Sequence, residues 1–349
     1  MTLQFLSEMT IHPRPRLRRF GRRLAAAACV LLLLSGAGAE AVAQDTTAVV
    51  LRPVPAKTKK GQKHAALVLT PLVQSDVAEI KIGGKPVPIV AWTPLLKGTY
   101  GLQLVLLIDS MEQIGINEQF DDIKKLFDGM PPNVEIAVGY LLQGKAKITQ
   151  GFTTDRKLVG DALHVPQDTA MAKNDNGNPY ACLRDLAAHW PNPDPKKLRA
   201  VLMITDGIIR NNQTPQGGDA NSGGDQQDPD VVSAAAALGR AGIMPFPFYY
   251  LDPVIPQNRS EGGPLDGQNN FDLLASTTQG QALYEGQFAP GSFFPLLNRF
   301  YDVLQSMAVA TVSVKGSGFK VIDVKSSRDD IGVMAADGVT IGNVLASKK

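Results

Sequence analysis

Cysteine, histidine and aromatic residues are scarce in this sequence, and the scarcity excludes several kinds of chemistry. Only Cys29 and Cys182 occur, and Cys29 lies in an N-terminal segment that we expect to be removed. Cys182 therefore has no partner for an intrachain disulfide, and its apolar helical spacing predicts a small buried hydrophobe. Outside the N-terminal segment, His64, His164 and His189 show no spacing to a nucleophile or metal ligand. Histidine-based catalysis is not indicated.

A strong net charge is also absent, since the whole chain carries a formal +2. Residues 1–43 hold six arginines and two glutamates, so their removal takes the net charge from +2 to −2. A chain of that charge has no basic surface field that would favour nucleic acid. The one basic cluster, within residues 57–63, is predicted to be a solvated linker.

The first 43 residues have the pattern of an export signal. A basic segment at 14–23 precedes an eleven-residue apolar core at 24–34, and Ala-Val-Ala at 41–43 precedes the predicted cleavage site. Eleven residues are too few to span the ~30 Å core of a bilayer as a helix. We expect an exported chain without a transmembrane span, in the periplasm, in the cell envelope or secreted. The alternative is an uncleaved anchor, and paired arginines leave Sec and twin-arginine export both open.

From Leu102 to Met307, apolar runs typical of buried strands alternate with amphipathic segments of helical period. This alternation predicts the α/β class: a doubly wound, mostly parallel sheet with helices on both faces. Pro247 argues against a central position for the last strand, and the polar segment 211–227 is expected to be a mobile surface loop. Predicted strands are 102–108, 134–142, 146–152, 200–206 and 243–252; predicted helices are 116–129, 155–163, 180–190, 230–242 and 292–307.

Two flanks outside this region show a different pattern. Residues 65–97 and 309–345 contain short alternating segments joined by glycine turns, with a hairpin signal at Gly83-Gly84. We expect antiparallel β additions at both ends of the sheet domain, and pairing between the two flanks is one arrangement they allow.

The unbroken apolar runs of the predicted strands 102–108 and 200–206 each lead into an aspartate, Asp109 and Asp206. In a doubly wound sheet, ligands bind at the carboxyl ends of strands, in the crevice where strand order reverses. Strands flanking that crevice would bring the two carboxylates together, and the pair would then need a proton, a cation or a metal ion.

The segments VLLIDSMEQIG (105–115), FTTDRKLVGDAL (152–163) and AVLMITDGI (200–208) together resemble a von Willebrand factor type A domain, closest to the subgroup of exported bacterial proteins. The resemblance implies a divalent-cation site, usually for Mg²⁺, at the top of the sheet. Its ligands would be an Asp-x-Ser-x-Ser motif, a threonine from a middle loop and an aspartate after the fourth strand. A carboxylate from a partner protein would complete the site.

Only the aspartates of that motif are matched here. Asp109 and Asp206 stand at its first and last positions, whereas Met111 and Gln113 replace the two serines and Asn178-Pro179 stands near the place of the threonine. A thioether cannot serve a hard cation. We therefore expect a degenerate site without a cofactor, and Mg²⁺ or Mn²⁺ held by altered ligands is the alternative.

The resemblance implies a non-enzymatic, exported module that binds a protein partner through the loops at the carboxyl ends of the strands. A structural subunit of an envelope assembly is a further alternative, in which the flanks would complete a sheet in another chain. Predicted organisation is a signal at 1–43, a linker and β-hairpin extension at 44–97, the A-type domain at 98–307 and a C-terminal β extension at 308–349. Candidate partner-binding residues are Ser110, Glu112, Gln113, Asn178 and Arg210, the last also a candidate counter-charge for Asp206.

Overall fold

A computed structural model describes most of the chain beyond the predicted signal segment. The described residues all fall in one compact unit that spans 45–349. The predictions for the signal at 1–43, the basic cluster, Glu112, Gln113, Arg210 and the polar loop lie outside the described residues. The residues that the structure describes are 46–55, 69–98, 100–110, 115–165, 177–209, 228–251, 264–286 and 290–341.

The described residues form strands and helices in the alternation that the sequence predicts. Two short 3₁₀ helices, Gln74–Asp76 and Ile116–Gln119, accompany them. The strands are β1 Thr46–Pro55, β2 Val77–Ile82, β3 Lys85–Pro86, β4 Ile89–Pro94, β5 Gly101–Asp109, β6 Val134–Leu142, β7 Lys145–Thr153, β8 Lys197–Thr205, β9 Ile243–Tyr249, β10 Ala308–Ser313, β11 Gly318–Ser326, β12 Ile331–Met334 and β13 Gly338–Ile341. The α-helices are α1 Phe120–Asp128, α2 Arg156–Asp161, α3 Pro179–Ala188, α4 Pro229–Ala241, α5 Pro264–Ser276 and α6 Phe294–Ser306.

The central sheet has five strands in the order β7-β6-β5-β8-β9, and only β7 runs antiparallel to its neighbour. Helices cover both faces, because α1, α2 and α6 pack on one side and α3, α4 and α5 on the other. Strand β5 is buried from Leu102 to Asp109, as its unbroken apolar run predicts. The predicted doubly wound α/β fold is confirmed.

Strand β9 accommodates Pro245 and Pro247 at the edge of the sheet, and Pro247 argues only against a central position. It forms an edge of the sheet beside β8, and the carbonyls of Pro245 and Pro247 accept hydrogen bonds from the backbone N–H groups of Gln281 and Leu283. The nitrogen and carbonyl of one strand residue point to the same side, so these prolines lack donors only on the side away from β8. No hydrogen bond to β8 is lost.

The helix boundaries follow local capping. Asp155 accepts from the backbone N–H groups of α2, and Asp228 does the same before Pro229 at the start of α4. Helix α6 begins at Phe294 rather than at Ser292, whose hydroxyl instead accepts from the N–H of Phe294. Helix α5 is absent from the sequence-based prediction, and so is strand β1.

The two flanks pair with each other and form a β-sandwich. One sheet has the order β12-β1-β10-β4 and the other β13-β11-β2-β3, and each combines strands from both ends of the chain. Their inner faces share one apolar core, which includes Leu51, Ile80 and Ala310. The predicted hairpin at Gly83-Gly84 joins β2 and β3, and both glycines have positive φ. The segment at 44–97 is therefore more than a linker and hairpin, because it supplies strands to both sheets.

Candidate functional site

The site lies where the order of the central sheet reverses. Successive strands lead outward from β5 through β6 and β7 on one side, and through β8 and β9 on the other. The crevice between the carboxyl ends of β5 and β8 is thus the switch point at which such folds bind ligands. Register runs unbroken to Ile108 opposite Ile204, so Asp109 faces Thr205, and Asp206 lies one residue beyond.

Asp109 at the end of β5 is bound by a hydroxyl from the neighbouring strand. The Oγ1 of Thr205 donates to the Oδ2 of Asp109 at 2.6 Å, and both side chains are buried. A short hydrogen bond to a carboxylate in a low-dielectric site is among the stronger kinds. Thr205 also accepts from the backbone N–H of Gly207 at 3.3 Å, which links the strand end to the loop that follows.

Asp206 is fully buried, and its Oδ1 accepts from the backbone N–H of Ile208 at 3.0 Å. Helix α5 packs directly on this turn: a Cβ added at Gly267 would lie 2.0 Å from the carbonyl oxygen of Asp206. Gly207 has φ +71°, and a Cβ there would lie 2.4 Å from the ring of Phe271. Two glycines thus allow the helix to cover the turn that carries the second aspartate.

A tyrosine and an asparagine hold the same turn from two helices. The hydroxyl of Tyr180 on α3 donates to the carbonyl of Gly207 at 2.9 Å, and the Nδ2 of Asn270 on α5 donates to that carbonyl at 3.4 Å. Burial and the negative charge of Asp206 raise the pKa of Tyr180 well above its ordinary value, so its hydroxyl remains a proton donor at neutral pH.

Asn178 caps α3 and joins it to α4. Its Oδ1 accepts from the N–H groups of Tyr180 and Ala181 at 3.1 and 3.0 Å, and its Nδ2 donates to the Oδ2 of Asp230 at 2.6 Å. Arg184 pairs with the other oxygen of Asp230 at 2.6 Å. Burial alone would raise the pKa of Asp230, but the hydrogen bonds from Arg184 and Asn178 lower it.

Ser110, another predicted partner-binding residue, lies directly after Asp109 and is largely buried. Its backbone N–H donates to the carbonyl of Leu141 at 3.3 Å. The geometry thus brings Asp109 and Ser110 to the end of β5 and gives Asn178 a capping role. Partner binding by Ser110 and Asn178 stays a prediction.

Of the ligands that the resemblance implies, the described residues supply the two aspartates, Asp109 and Asp206. Mg²⁺ requires oxygen ligands at ~2.1 Å in octahedral array. The Oδ2 of Asp109 accepts a hydrogen bond from the hydroxyl of Thr205, and fully buried Asp206 lies under α5. Within the described ranges, no group of three or more His, Cys, Asp or Glu side chains is placed to hold a metal ion.

Sequence reasoning did not identify several residues of this site. Thr205 precedes Asp206 on the same strand, and strand register could have placed it opposite Asp109. The contacts of Gly207 with Phe271 and Asn270 follow from the position of α5, which has no local sequence signal. The aromatic residues Phe246, Phe248, Tyr249 and Tyr250, on and directly after β9, are buried in the core.

Comparisons with known proteins give structural likeness without sequence relatives. No protein-family model matches the chain, and no curated protein matches it. An aerotolerance-related membrane protein from Bacteroides fragilis matches at 16% identity and TM-score 0.39, over 58% of this chain and 98% of that one. BatB from Bacteroides thetaiotaomicron matches at 15% identity and TM-score 0.38, over 58% of this chain and 97% of that one. The SpRpn10 VWA domain matches at 12% identity and TM-score 0.37, over 57% of this chain and 95% of that one.

Strand order and helix layers give the doubly wound α/β architecture that the resemblance to the von Willebrand factor type A domain implies. The sheet is mostly parallel, with an aspartate at the end of β5, as predicted, and the structure adds the strand order and the antiparallel edge strand β7. No helix among the described residues is long and apolar enough to cross a membrane.

Proposed function

We propose that the protein is an exported, non-enzymatic module that binds a protein partner through the loops at the carboxyl ends of the central strands, without a bound metal ion. The observation that carries the proposal is the unequal length of the connections at the two ends of the sheet. Residues 206–228 follow β8 and residues 250–263 follow β9, whereas one residue joins α4 to β9 and five join α1 to β6. Long connections on a rigid scaffold are where binding residues concentrate.

The contacts of Asp109 and Asp206 at the switch point support a binding role over a catalytic one. The carboxylate of Asp109 is engaged by Thr205, and the turn at Asp206 is covered by α5. Of the described histidines, His164 stacks on Tyr140 and His189 pairs with Asp185 at the surface. Neither ring hydrogen-bonds a serine, threonine or cysteine side chain, so the described residues hold no histidine-activated nucleophile. Recognition would therefore depend on the loops around a closed floor.

The alternative of strand donation to an envelope assembly gains no support from the flanks. Strand β1 pairs with β10, and β2 pairs with β11, so strands from both ends of the chain complete two sheets within this chain.

Site-specific photocrosslinking tests which surface meets the partner. Leu265, 52% exposed in the first turn of α5, lies beside the proposed loops, and Val321, 63% exposed on β11, lies on the sandwich. Each position would carry a photoreactive phenylalanine in the protein expressed in an exporting host. We expect protein adducts from position 265 and none from position 321. Adducts from position 321 alone, or from neither position, would contradict the proposal.

A further inference from the structure

Arg52 is a buried cation that has no ion-pair partner among the described residues. It lies on β1 in the sandwich and is 8% exposed. Its Nη1 donates to the Oε1 of Gln281 at 2.8 Å, and its Nη2 contacts the Sδ of Met334 at 3.3 Å. Its Nε is buried and has no hydrogen-bond partner. Within the described residues, no carboxylate lies within ion-pair distance of this guanidinium.

Such an arrangement is costly unless something compensates it. A buried ion without a counter-charge is destabilising, even after the protein relaxes around it. Burial and the positive charge of Arg299 lower the pKa of Arg52 to about 10. At neutral pH Arg52 therefore remains protonated, and a neutral side chain does not relieve the cost.

A cavity of about 430 Å³ opens beside this guanidinium, at the junction of the sandwich with the α/β domain. Arg52 and Arg299 line it together with Asp272 and Tyr284. The hydroxyl of Tyr284 donates to the Oδ2 of Asp272 at 2.8 Å, so this carboxylate is engaged by the tyrosine. Two cations in one cavity repel each other, and an anion between them would relieve both the repulsion and the unpaired charge.

We propose that this cavity binds a small molecule through its carboxylate group, with Arg52 and Arg299 as the carboxylate-binding residues. The two arginines and Asp272 give the charged lining a net of +1, which matches one carboxylate better than a doubly charged phosphate. Asp272 and the oxygen of Tyr284 can accept hydrogen bonds from the ligand. The ligand class is therefore a carboxylate that also carries a hydroxyl or ammonium group.

The site is separate from the loops of the proposed function. Gln281, which fixes Arg52, lies beside Pro245 near the start of β9, toward the amino ends of the strands. Loss of partner binding at the carboxyl ends would therefore leave this proposal unaffected.

Thermal unfolding of the purified protein at constant ionic strength tests the site. The probes are acetate, lactate, L-alanine, inorganic phosphate and chloride, each titrated to tens of millimolar. We expect a saturable rise in Tm with lactate or L-alanine that exceeds the rise with acetate. Phosphate and chloride should give no saturable rise. Saturation by phosphate at lower concentration than by any carboxylate, or no saturable response at all, would overturn the proposal.

Substitutions assign the response to the two arginines. Arg299→Gln alters an exposed residue and should raise the half-saturating concentration about tenfold. Arg52→Met, which fills a similar volume, should abolish the response, and Arg299→Gln remains informative if that variant fails to fold. Arg240→Gln removes an equally exposed arginine from α4 and should leave the response unchanged. An unchanged response in Arg299→Gln would exclude the site.

Discussion

The hydroxyl of Thr205 donates to the carboxylate of Asp109 at 2.6 Å, across the two central strands of the sheet. In the family that this chain resembles, that carboxylate belongs to a cation site. Here a neighbouring side chain satisfies one of its oxygens inside the fold. The bond therefore ties β5 to β8 at the switch point and closes the floor beneath the proposed binding loops.

Thr205→Val is expected to lower the free energy of unfolding by about 1–3 kcal/mol. Valine matches threonine in shape but leaves the buried carboxylate of Asp109 without this donor. Urea unfolding measures the change. Thr154→Val, at an exposed position before α2, is the matched control and should stay within about 0.5 kcal/mol of the parent. Equal effects of the two substitutions would show that the bond contributes nothing to stability.

Gly207→Ala is expected to cost about 3 kcal/mol, of which only part comes from the backbone. Alanine at φ +71° costs roughly 1 kcal/mol, and its Cβ would overlap the ring of Phe271. Gly242→Ala separates the two contributions, because Gly242 has φ +65° with no atom within 4 Å of the added Cβ. We expect the Gly242 variant to lose only about 1 kcal/mol in the same urea titration. Similar losses in both variants would mean that α5 moves away without cost.

Asp230→Asn should destabilise the protein at neutral pH by about 0.5 kcal/mol, the value of a half-exposed ion pair. Because the folded pKa of Asp230 is lowered, the carboxylate contributes stability above its unfolded pKa near 3.8. That contribution is lost as the pH falls through the folded pKa. The difference between parent and variant should therefore be constant from pH 7 to 5 and shrink below about pH 4.

Urea unfolding across that pH range checks the prediction. Asp121→Asn on α1, where the side chain is 82% exposed, is the control and should show a smaller difference at every pH. A difference for Asp230→Asn that grows toward acid would reverse the sign and contradict the assignment.

Divalent cations are expected to leave thermal stability unchanged. A cation at one hundred times its Kd would add about 2.7 kcal/mol and move the Tm by several degrees. Because Met111 and Gln113 stand where the implied site has serine hydroxyls, we expect Tm to agree within about 1 °C in EDTA and in millimolar Mg²⁺, Mn²⁺ or Ca²⁺. A rise that Asp109→Ala removes would restore the metal-dependent alternative. Glu112, Gln113 and Asn178 would then be the ligands to test.

Local sequence was sufficient for the parts of the fold that local physics decides. Unbroken apolar runs predicted β5 and β8, because strands covered on both faces have no polar side. Asp155 and Asp228 predicted helix starts, because a capping carboxylate bonds backbone groups two or three residues away. The hairpin at Gly83-Gly84 required positive φ at both residues, which glycine adopts without cost.

Contacts between distant segments decided the rest. Helix α5 was missed because Gly267 interrupts its helical propensity, and only the close approach to the carbonyl of Asp206 explains that glycine. Strand β1 contains Pro53 and Pro55, and prolines argue against a strand in a sequence. Its partners β10 and β12 lie more than 250 residues further along the chain.

By itself, the sequence determined an α/β sheet domain with β flanks and placed one aspartate at the end of each central strand. Only the tertiary structure decided what those aspartates do. Parallel register set Asp109 opposite Thr205 rather than Asp206, and α5 closed over the second aspartate. It also set Arg52 in a cavity beside Arg299, although about 250 residues separate them. The physical reason is that hydrogen bonds, burial and charge pairing depend on distances in space, which local patterns do not contain.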